Sequence, residues 1–424
     1  MLLSFRAANH RSLRTEQQLL LTPAYAADAP PDPPWEGLTV AGIFGANASG
    51  KSNVIDALEY MTSMVRRSFR ESEPGGGIER YPFALDPAMA DEPSSFVVDV
   101  LIDNVRYTYG FALDDVRILE EWMFSYPKKR RRIIFQRRGD EYTYGDHSPE
   151  AMRQAEQLTE PNVLFLSVGV RSKQRVLLPV YSWFQDIEWR TSRDIEFRFL
   201  SRERWSPEIS LDRLTDLLRA ADTGIEGAVL VDESEAEYSA RVGSQRRRTM
   251  EGADPPRRKR LYFQHRGADG TAALSLKEQS TGTQSLYRLA RPAFVALDRG
   301  TPFVVDEIDS SLHPFLTAQL IRLFRDPATN PRGAQLVFTS HDVSLLGRIQ
   351  GEEILRRDHI WFTEKDDCGA TELFPVSEFK PRRDENRERR YLAGRYGAVP
   401  VVNDELFVAA LASREDSGDV AENS

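Results

Sequence analysis

Cysteine is almost missing: Cys368 is the only one in 424 residues. A single thiol closes no internal disulfide and builds no cysteine metal cluster, so a reducing, cytoplasmic setting is expected. No apolar run approaches the ~18 residues of a membrane span, and no membrane contact is expected. The opening Met1-Leu2-Leu3-Ser4-Phe5-Arg6 is too short and too polar for a secretion signal and reads as a strand. An excess of positive charge is missing too. Net charge is −9 and the pI about 5.4, so the overall field does not favour non-specific DNA binding. Sustained heptads and internal repeats are also absent, which argues against a long coiled coil or a repeat array. What remains, 41% apolar and 29% charged, describes a globular chain long enough for two to three domains.

The most informative stretch is Gly45-Ala46-Asn47-Ala48-Ser49-Gly50-Lys51-Ser52. An apolar run, Leu38 to Phe44, precedes it, and Asn53-Val54-Ile55-Asp56-Ala57-Leu58 follows with helical character. Strand, glycine-bounded loop and helix are the context of a phosphate-binding P-loop. Backbone N–H groups of such a loop point inward, and the helix behind adds roughly +0.5 of an elementary charge at its N-terminus. Lys51 is expected to reach the β- and γ-phosphates and the Ser52 hydroxyl to ligate Mg²⁺. Chance places two Gly, a Lys and a Ser or Thr at this spacing in about one or two per cent of chains this long, so the flanking strand and helix decide for nucleotide binding.

Residues 2–8 and 16–22 read as paired strands, and Pro23 to Gly37 as an irregular connector. From Ser95 to Tyr144 alternating segments separated by Asp103-Asn104 and Asp114-Asp115 read as an antiparallel meander. Near Ser148 the character changes to helical, with Ser148 as cap and Pro149 in the first turn. The expected division is a first lobe with the P-loop and the meander over 1–146, a mainly helical insert over 147–222, a second lobe over 223–412 and a disordered acidic tail over 413–424. The fold class expected is α/β, a mixed sheet plus the meander. Ala240 to Lys259, with Arg246-Arg247-Arg248, reads as a mobile basic loop.

A second group of motifs follows. Thr301-Pro302-Phe303-Val304-Val305-Asp306-Glu307 is an apolar strand ending in two carboxylates. Lying beside the P-loop strand in a parallel sheet, Asp306 would face the Mg²⁺ shell and Glu307 the attacking water, as general base. Upstream, Ser280-Thr281-Gly282-Thr283 opens a helix running to Leu297; downstream, the strand Gln335 to Ser340 ends in His341-Asp342.

Motifs in this order resemble the ATP-binding-cassette class of ATPases, in the branch of RecF and the chromosome-maintenance proteins. The nearest resemblance is to compact bacterial AAA ATPases of the abortive-infection, AbiLi-like type, often encoded beside a RloB-like or TOPRIM nuclease. Asn9-His10-Arg11-Ser12-Leu13, Leu164-Phe165-Leu166-Ser167 and Tyr391-Leu392-Ala393-Gly394-Arg395-Tyr396-Gly397 also resemble that family, so the likeness spans most of the chain. It implies ATP with Mg²⁺ held in a head-to-tail homodimer or higher oligomer. Gly45 to Asn53 of one subunit, with Arg11 and Ser12, would bind the nucleotide. Ser280, Thr281, Gly282 and Thr283 of the other would bind the γ-phosphate in trans. Asp309 would contact the neighbouring subunit, and His341 would sense the γ-phosphate. A nuclease-type effector in phage defence is the implied partner. Two departures stand out: the signature reads Ser-Thr-Gly-Thr rather than Ser-Gly-Gly-Gln, and no Q-loop glutamine is evident near Tyr81-Pro82-Phe83.

Other features leave two readings open. Lys128-Lys129-Arg130-Arg131-Arg132 fits a solvated hairpin or a DNA or partner surface. His265 fits core packing or a place near the nucleotide, and Arg395 with Tyr396 fits partner docking. A RecF-like DNA-binding repair protein and an assembly scaffold that binds ATP with little turnover are the rival functions.

Overall fold

The computed structural model describes residues 1–25, 37–146, 149–191, 210–221, 223–232, 259–268, 270–382, 385–400 and 403–412. Most of the Pro-rich connector, Ser148, residues 240–258 of the basic loop and the acidic tail lie outside the described residues.

The chain begins with β1 (Leu2–Ala8) and β2 (Gln17–Leu20), then β3 (Val40–Gly45) and α1 (Lys51–Glu71). The meander is β4 (Ser94–Ile102), β5 (Val105–Leu113), β6 (Ile118–Ser125), β7 (Arg132–Arg138) and β8 (Glu141–Tyr144). Helices α2 (Pro149–Gln157), α3 (Phe165–Arg171) and α4 (Leu178–Gln185) lead to β9 (Glu188–Arg190). Then come α5 (Leu211–Ala220), β10 (Ile225–Asp232), β11 (Lys259–Gly267), β12 (Gly270–Ser275) and α6 (Thr281–Arg299). The last part holds β13 (Pro302–Val305), α7 (Pro314–Arg325), β14 (Gln335–Thr339), the short pair β15 (Arg348–Ile349) and β16 (Glu352–Glu353), β17 (Ile360–Lys365), β18 (Thr371–Pro375), α8 (Arg387–Leu392) and α9 (Asp404–Ala412).

The central sheet has six strands in the order β18-β17-β3-β14-β13-β9, parallel except for β18. Two of its inner strands, β3 and β13, are apolar and buried at every position because both faces are covered. In β3, Ala41 and Ile43 enter one core with α1 and the meander, while Val40 and Phe44 enter a second core with α6 and α7. β14 alternates the same way, Val337 to the first core and Leu336 and Phe338 to the second. A seven-stranded antiparallel sheet, β2-β1-β4-β5-β6-β7-β8, closes the first core. α1 lies between the two sheets, burying Val54, Leu58, Met61 and Val65 on one stripe at helical spacing.

One sequence expectation changes here. The strand carrying Asp306 is not beside the P-loop strand: β14 lies between β13 and β3. The stretch 147–222, expected to be mainly helical, also carries β9, which pairs in parallel with β13 at the edge of the central sheet. Its short polar sequence, Glu188-Trp189-Arg190, carries too little apolar periodicity to announce a strand, and only pairing with β13 reveals it.

A buried carboxylate joins the meander to the helices after it. Glu121 on β6 is fully buried and accepts hydrogen bonds from the N–H groups of Phe165 (2.6 Å) and Leu166 (3.0 Å) and from the Tyr109 hydroxyl (3.0 Å). It thereby caps α3, with Arg137 at 3.9 Å. Burial pushes its pKa up, and Arg137 and these donors pull against that shift.

Candidate functional site

The phosphate loop begins where β3 ends. A Cβ on Gly45 would lie 2.4 Å from the Thr363 carbonyl oxygen, so the close approach of β17 requires glycine. Ala48 takes φ +63°, and Gly50 takes φ +103° with space for no side chain, since a Cβ there would lie 2.0 Å from Thr371 Oγ1. The N–H groups of Gly50, Lys51 and Ser52 find no acceptor among the described residues. They are the unpaired donors of the α1 N-terminus. Lys51 is buried and folds back over the loop, donating to the carbonyls of Gly45 (2.8 Å) and Ala46 (2.9 Å). Burial of the ammonium pulls its pKa down, while the charges of Asp306, Glu307 and Asp309 pull it up.

β13 delivers its carboxylates to the same end of the sheet. Ser52 Oγ donates to Asp306 Oδ1 at 3.0 Å, and Thr339 Oγ1 donates to that oxygen at 2.6 Å. Thr339, at the end of β14, also accepts the N–H of Glu307 at 2.7 Å. The intervening strand thus supplies the link between β13 and the loop. Glu307 sits at φ +55°, a conformation costing roughly 1–2 kcal/mol for an L-residue, and its side chain is exposed. Beside it lies a cavity of about 130 Å³ lined by Arg190, Thr191, Ser285, Leu289, Asp306 and Glu307. Among the described residues no group of three or more His, Cys, Asp or Glu side chains could hold a metal alone. One hydroxyl and one carboxylate beside a phosphate cradle are instead the hard-oxygen set that suits Mg²⁺ sharing its shell with phosphates.

Downstream, the backbone N–H of His341 lies 3.4 Å from both carboxylate oxygens of Asp309, and the His341 side chain is exposed. Ser280 caps α6 by accepting the N–H of Thr283 at 3.1 Å. A Cβ on Gly282 would lie 3.2 Å from the Ser311 carbonyl oxygen, so this turn rests against the segment after Asp309. Ser280 and Thr281 are exposed, and among the described residues no hydrogen bond joins their turn to the phosphate loop of the same chain. His265 bonds Gln279 at 3.0 Å, immediately before this turn.

Arg11 and Ser12 adjoin α1, but both side chains are engaged by protein. Arg11 pairs with Asp56 and lies 4.6 Å over the Tyr81 ring. Burial alone would raise the Asp56 pKa, yet hydrogen bonds from His10 and Arg11 hold it below the usual carboxylate value. Ser12 Oγ accepts from Asn53 Nδ2 at 2.5 Å and lies 2.7 Å from Thr371 Oγ1. Ser49 Oγ lies 2.7 Å from Thr363 Oγ1. The side chains of Ser12, Ser49 and Asn53 are therefore bonded to the scaffold behind the loop. Of the pair Arg395 and Tyr396, Arg395 is exposed, whereas Tyr396 is buried, stacks on Phe362 at 5.6 Å and donates to Glu385 at 2.5 Å. Sequence reasoning gave no role to Thr339, Thr363 or Thr371. Their only sequence signal is a threonine at the end or start of an apolar strand, which many strands carry.

No curated protein matches the chain. Among solved structures it is similar to the SMC head domain from Thermotoga maritima, at 15% identity and a TM-score of 0.41, over 88% of this chain and 98% of that one. A family model described as "AAA domain, putative AbiEii toxin, Type IV TA system" matches residues 40–347, from β3 through the segment after His341. The chain belongs to that family of P-loop AAA proteins.

Proposed function

We propose that this chain is an Mg²⁺-dependent ATPase whose two copies close head to tail around nucleotide, acting as a switch for an effector. The observation that carries the reading is the meeting of Ser52, Asp306 and Thr339 beside the Lys51 loop. A bound Mg²⁺ would neutralise phosphate charge and hold the phosphates in register. Ser52 and Asp306 would hold it, giving up the hydrogen bond they now share. Lys51 would leave the Gly45 and Ala46 carbonyls for phosphate oxygens. Glu307, exposed at the strand end, would accept the proton of the attacking water, and His341 would hold the opposite side of that water. The exposed Ser280 turn and the α6 N-terminus, with no hydrogen bond to their own loop among the described residues, suit a γ-phosphate presented by a second copy. Asp309, beside His341, would sense that copy. A nuclease-type effector and a role in phage defence extend this reading by family resemblance.

Glu307→Gln tests it directly. The variant should bind ATP with Mg²⁺, lose turnover by about 10²–10⁴-fold and accumulate as a dimer in light scattering, while the nucleotide-free protein does not. Wild-type turnover in the variant would remove the assignment.

One observation favours a second reading. The hairpin Lys128–Arg132 is exposed, with Arg131 lying 3.9 Å over Phe124, and it offers a basic surface to duplex DNA. Binding that requires ATP and weakens steeply with salt would support a RecF-like role.

A further inference from the structure

The loop is held from behind by a chain of hydroxyls whose donor order can be worked out. Thr371 Oγ1 lies 2.8 Å from the Ser49 carbonyl oxygen, which only accepts, so the single Thr371 proton goes there. The contact between Thr371 and Ser12, 2.7 Å long, must then use the Ser12 proton. With that proton spent, Asn53 must present its amide N–H to Ser12, at 2.5 Å. The order is Asn53 to Ser12 to Thr371 to the Ser49 carbonyl, each bond polarising the next. Thr371 and Ser12 are also joined through the backbone, Thr371 N–H to Ser12 O at 2.7 Å. Both side chains are buried, Thr371 at 1% exposure and Ser12 at 8%. On the neighbouring strand Thr363, fully buried, bonds Ser49 Oγ.

The peptide unit is planar and trans, so its C=O and N–H point to opposite sides. Fixing the Ser49 carbonyl on β18 therefore turns the Gly50 N–H away from β18. That N–H has no acceptor among the described residues. It stands immediately before Lys51, in the loop that the nucleotide reading assigns to phosphate. We propose that Thr371, supported by Thr363, is a positioning residue for nucleotide binding, its hydroxyl holding the Ser49–Gly50 peptide with the N–H toward the phosphates. This rests on the nucleotide reading above. It adds a residue 322 positions from Ser49, on a strand outside the 40–347 match. It also explains why position 50 must be glycine: any Cβ there would collide with the hydroxyl that orients the peptide.

The test compares Thr371→Val, which keeps shape and removes the hydroxyl, with Thr371→Ser, which keeps the hydroxyl. ATP affinity is measured with a fluorescent ATP analogue, alongside turnover and thermal unfolding without nucleotide. Loss of one phosphate-directed N–H should weaken binding in the Val variant by about 10- to 100-fold. KM should rise while kcat stays near wild type, since the peptide serves ground and transition states alike. Thr371→Ser should return affinity to within about threefold of wild type. Equal losses in both variants, or wild-type affinity in the Val variant, would overturn the proposal while leaving the nucleotide reading intact. If the Val variant does not fold, Ser12→Ala breaks the same relay one bond further out. It should weaken ATP about 3- to 10-fold, and no change would overturn the proposal. Absence of ATP binding by the wild type, with Lys51→Met as the control, would overturn both.

Discussion

Replacing Lys51 by methionine separates two burdens that the lysine carries together. Without nucleotide, its ammonium is buried against the loop and satisfied by the Gly45 and Ala46 carbonyls at 2.8 and 2.9 Å. Burial pulls its pKa below the ordinary 10.5, so the charged form is less favoured in the folded chain than in the unfolded one. Between the folded pKa and 10.5 the unfolded chain binds more protons, and stability should rise with pH in that window. Methionine of similar length removes the buried charge and gives up the two hydrogen bonds. The opposing terms should leave nucleotide-free stability within about 1 kcal/mol of wild type, and the alkaline rise should shrink.

Nucleotide binding should respond very differently. Two charge-assisted bonds to phosphate, at about 1.5–3 kcal/mol each, are lost, which is roughly 10²–10⁴ in affinity. At ATP 100 times the wild-type Kd, the wild type gains about 2.7 kcal/mol of stability from mass action. The variant at the same concentration should gain about 0.4 kcal/mol or less. Unfolding of both proteins in urea, with and without ATP and Mg²⁺, measures all four values. A variant that keeps the full ATP-dependent gain would refute the assignment of Lys51 to the phosphates. A nucleotide-free variant destabilised by several kcal/mol would refute the balance drawn for the buried ammonium.

Mixing two inactive variants tests the shared site. Lys51→Met combined with Ser280→Arg should restore about a quarter of wild-type turnover, because half the dimers carry one intact composite site out of two. No recovery after subunit exchange would argue that each chain acts alone. Glu121→Leu leaves two N–H groups and the Tyr109 hydroxyl without their buried acceptor and Arg137 without its counter-charge, and should cost about 3–5 kcal/mol in urea unfolding, with little change in ATP affinity. A loss under 1 kcal/mol would contradict the capping role. His359 is fully buried, and burial followed by the charges of Arg325, Arg356 and Arg387 holds its pKa well below 6.5. The unfolded chain therefore binds more protons below pH 6.5, and folding stability should fall as pH drops from 7 toward 5. His359→Gln should flatten that slope; an unchanged slope would place its origin elsewhere.

The local conformation of the Gly45–Ser52 loop was legible in the order of residues. Two glycines, a lysine and a serine at fixed spacing, after an apolar run and before a helical stripe, specify strand, turn and helix over neighbours within about 25 residues. The meander was legible for the same reason, since alternation and Asx turns are local signals: Phe96, Val98 and Val100 enter the first core from β4. The helix after Ser280 was readable from its cap and periodicity, and it runs from Thr281 to Arg299.

Tertiary structure decided which strands became neighbours. Residue order gave no hint that β14 separates β13 from β3, because several parallel orders bury the same apolar runs equally well. That intervening strand is why Thr339 bridges Asp306 and Glu307. β9 was equally hidden, three residues long and polar at both ends, until pairing with β13 supplied its hydrogen bonds. Thr363 and Thr371 look like any strand threonines in the chain. They reach the phosphate loop only because β17 pairs with β3 and brings β18 alongside, across more than 300 residues of sequence. Backbone conformation and side-chain periodicity are short-range properties that a sequence writes out directly. Strand order, and the hydroxyl contacts it creates, depend on the packing of the whole chain.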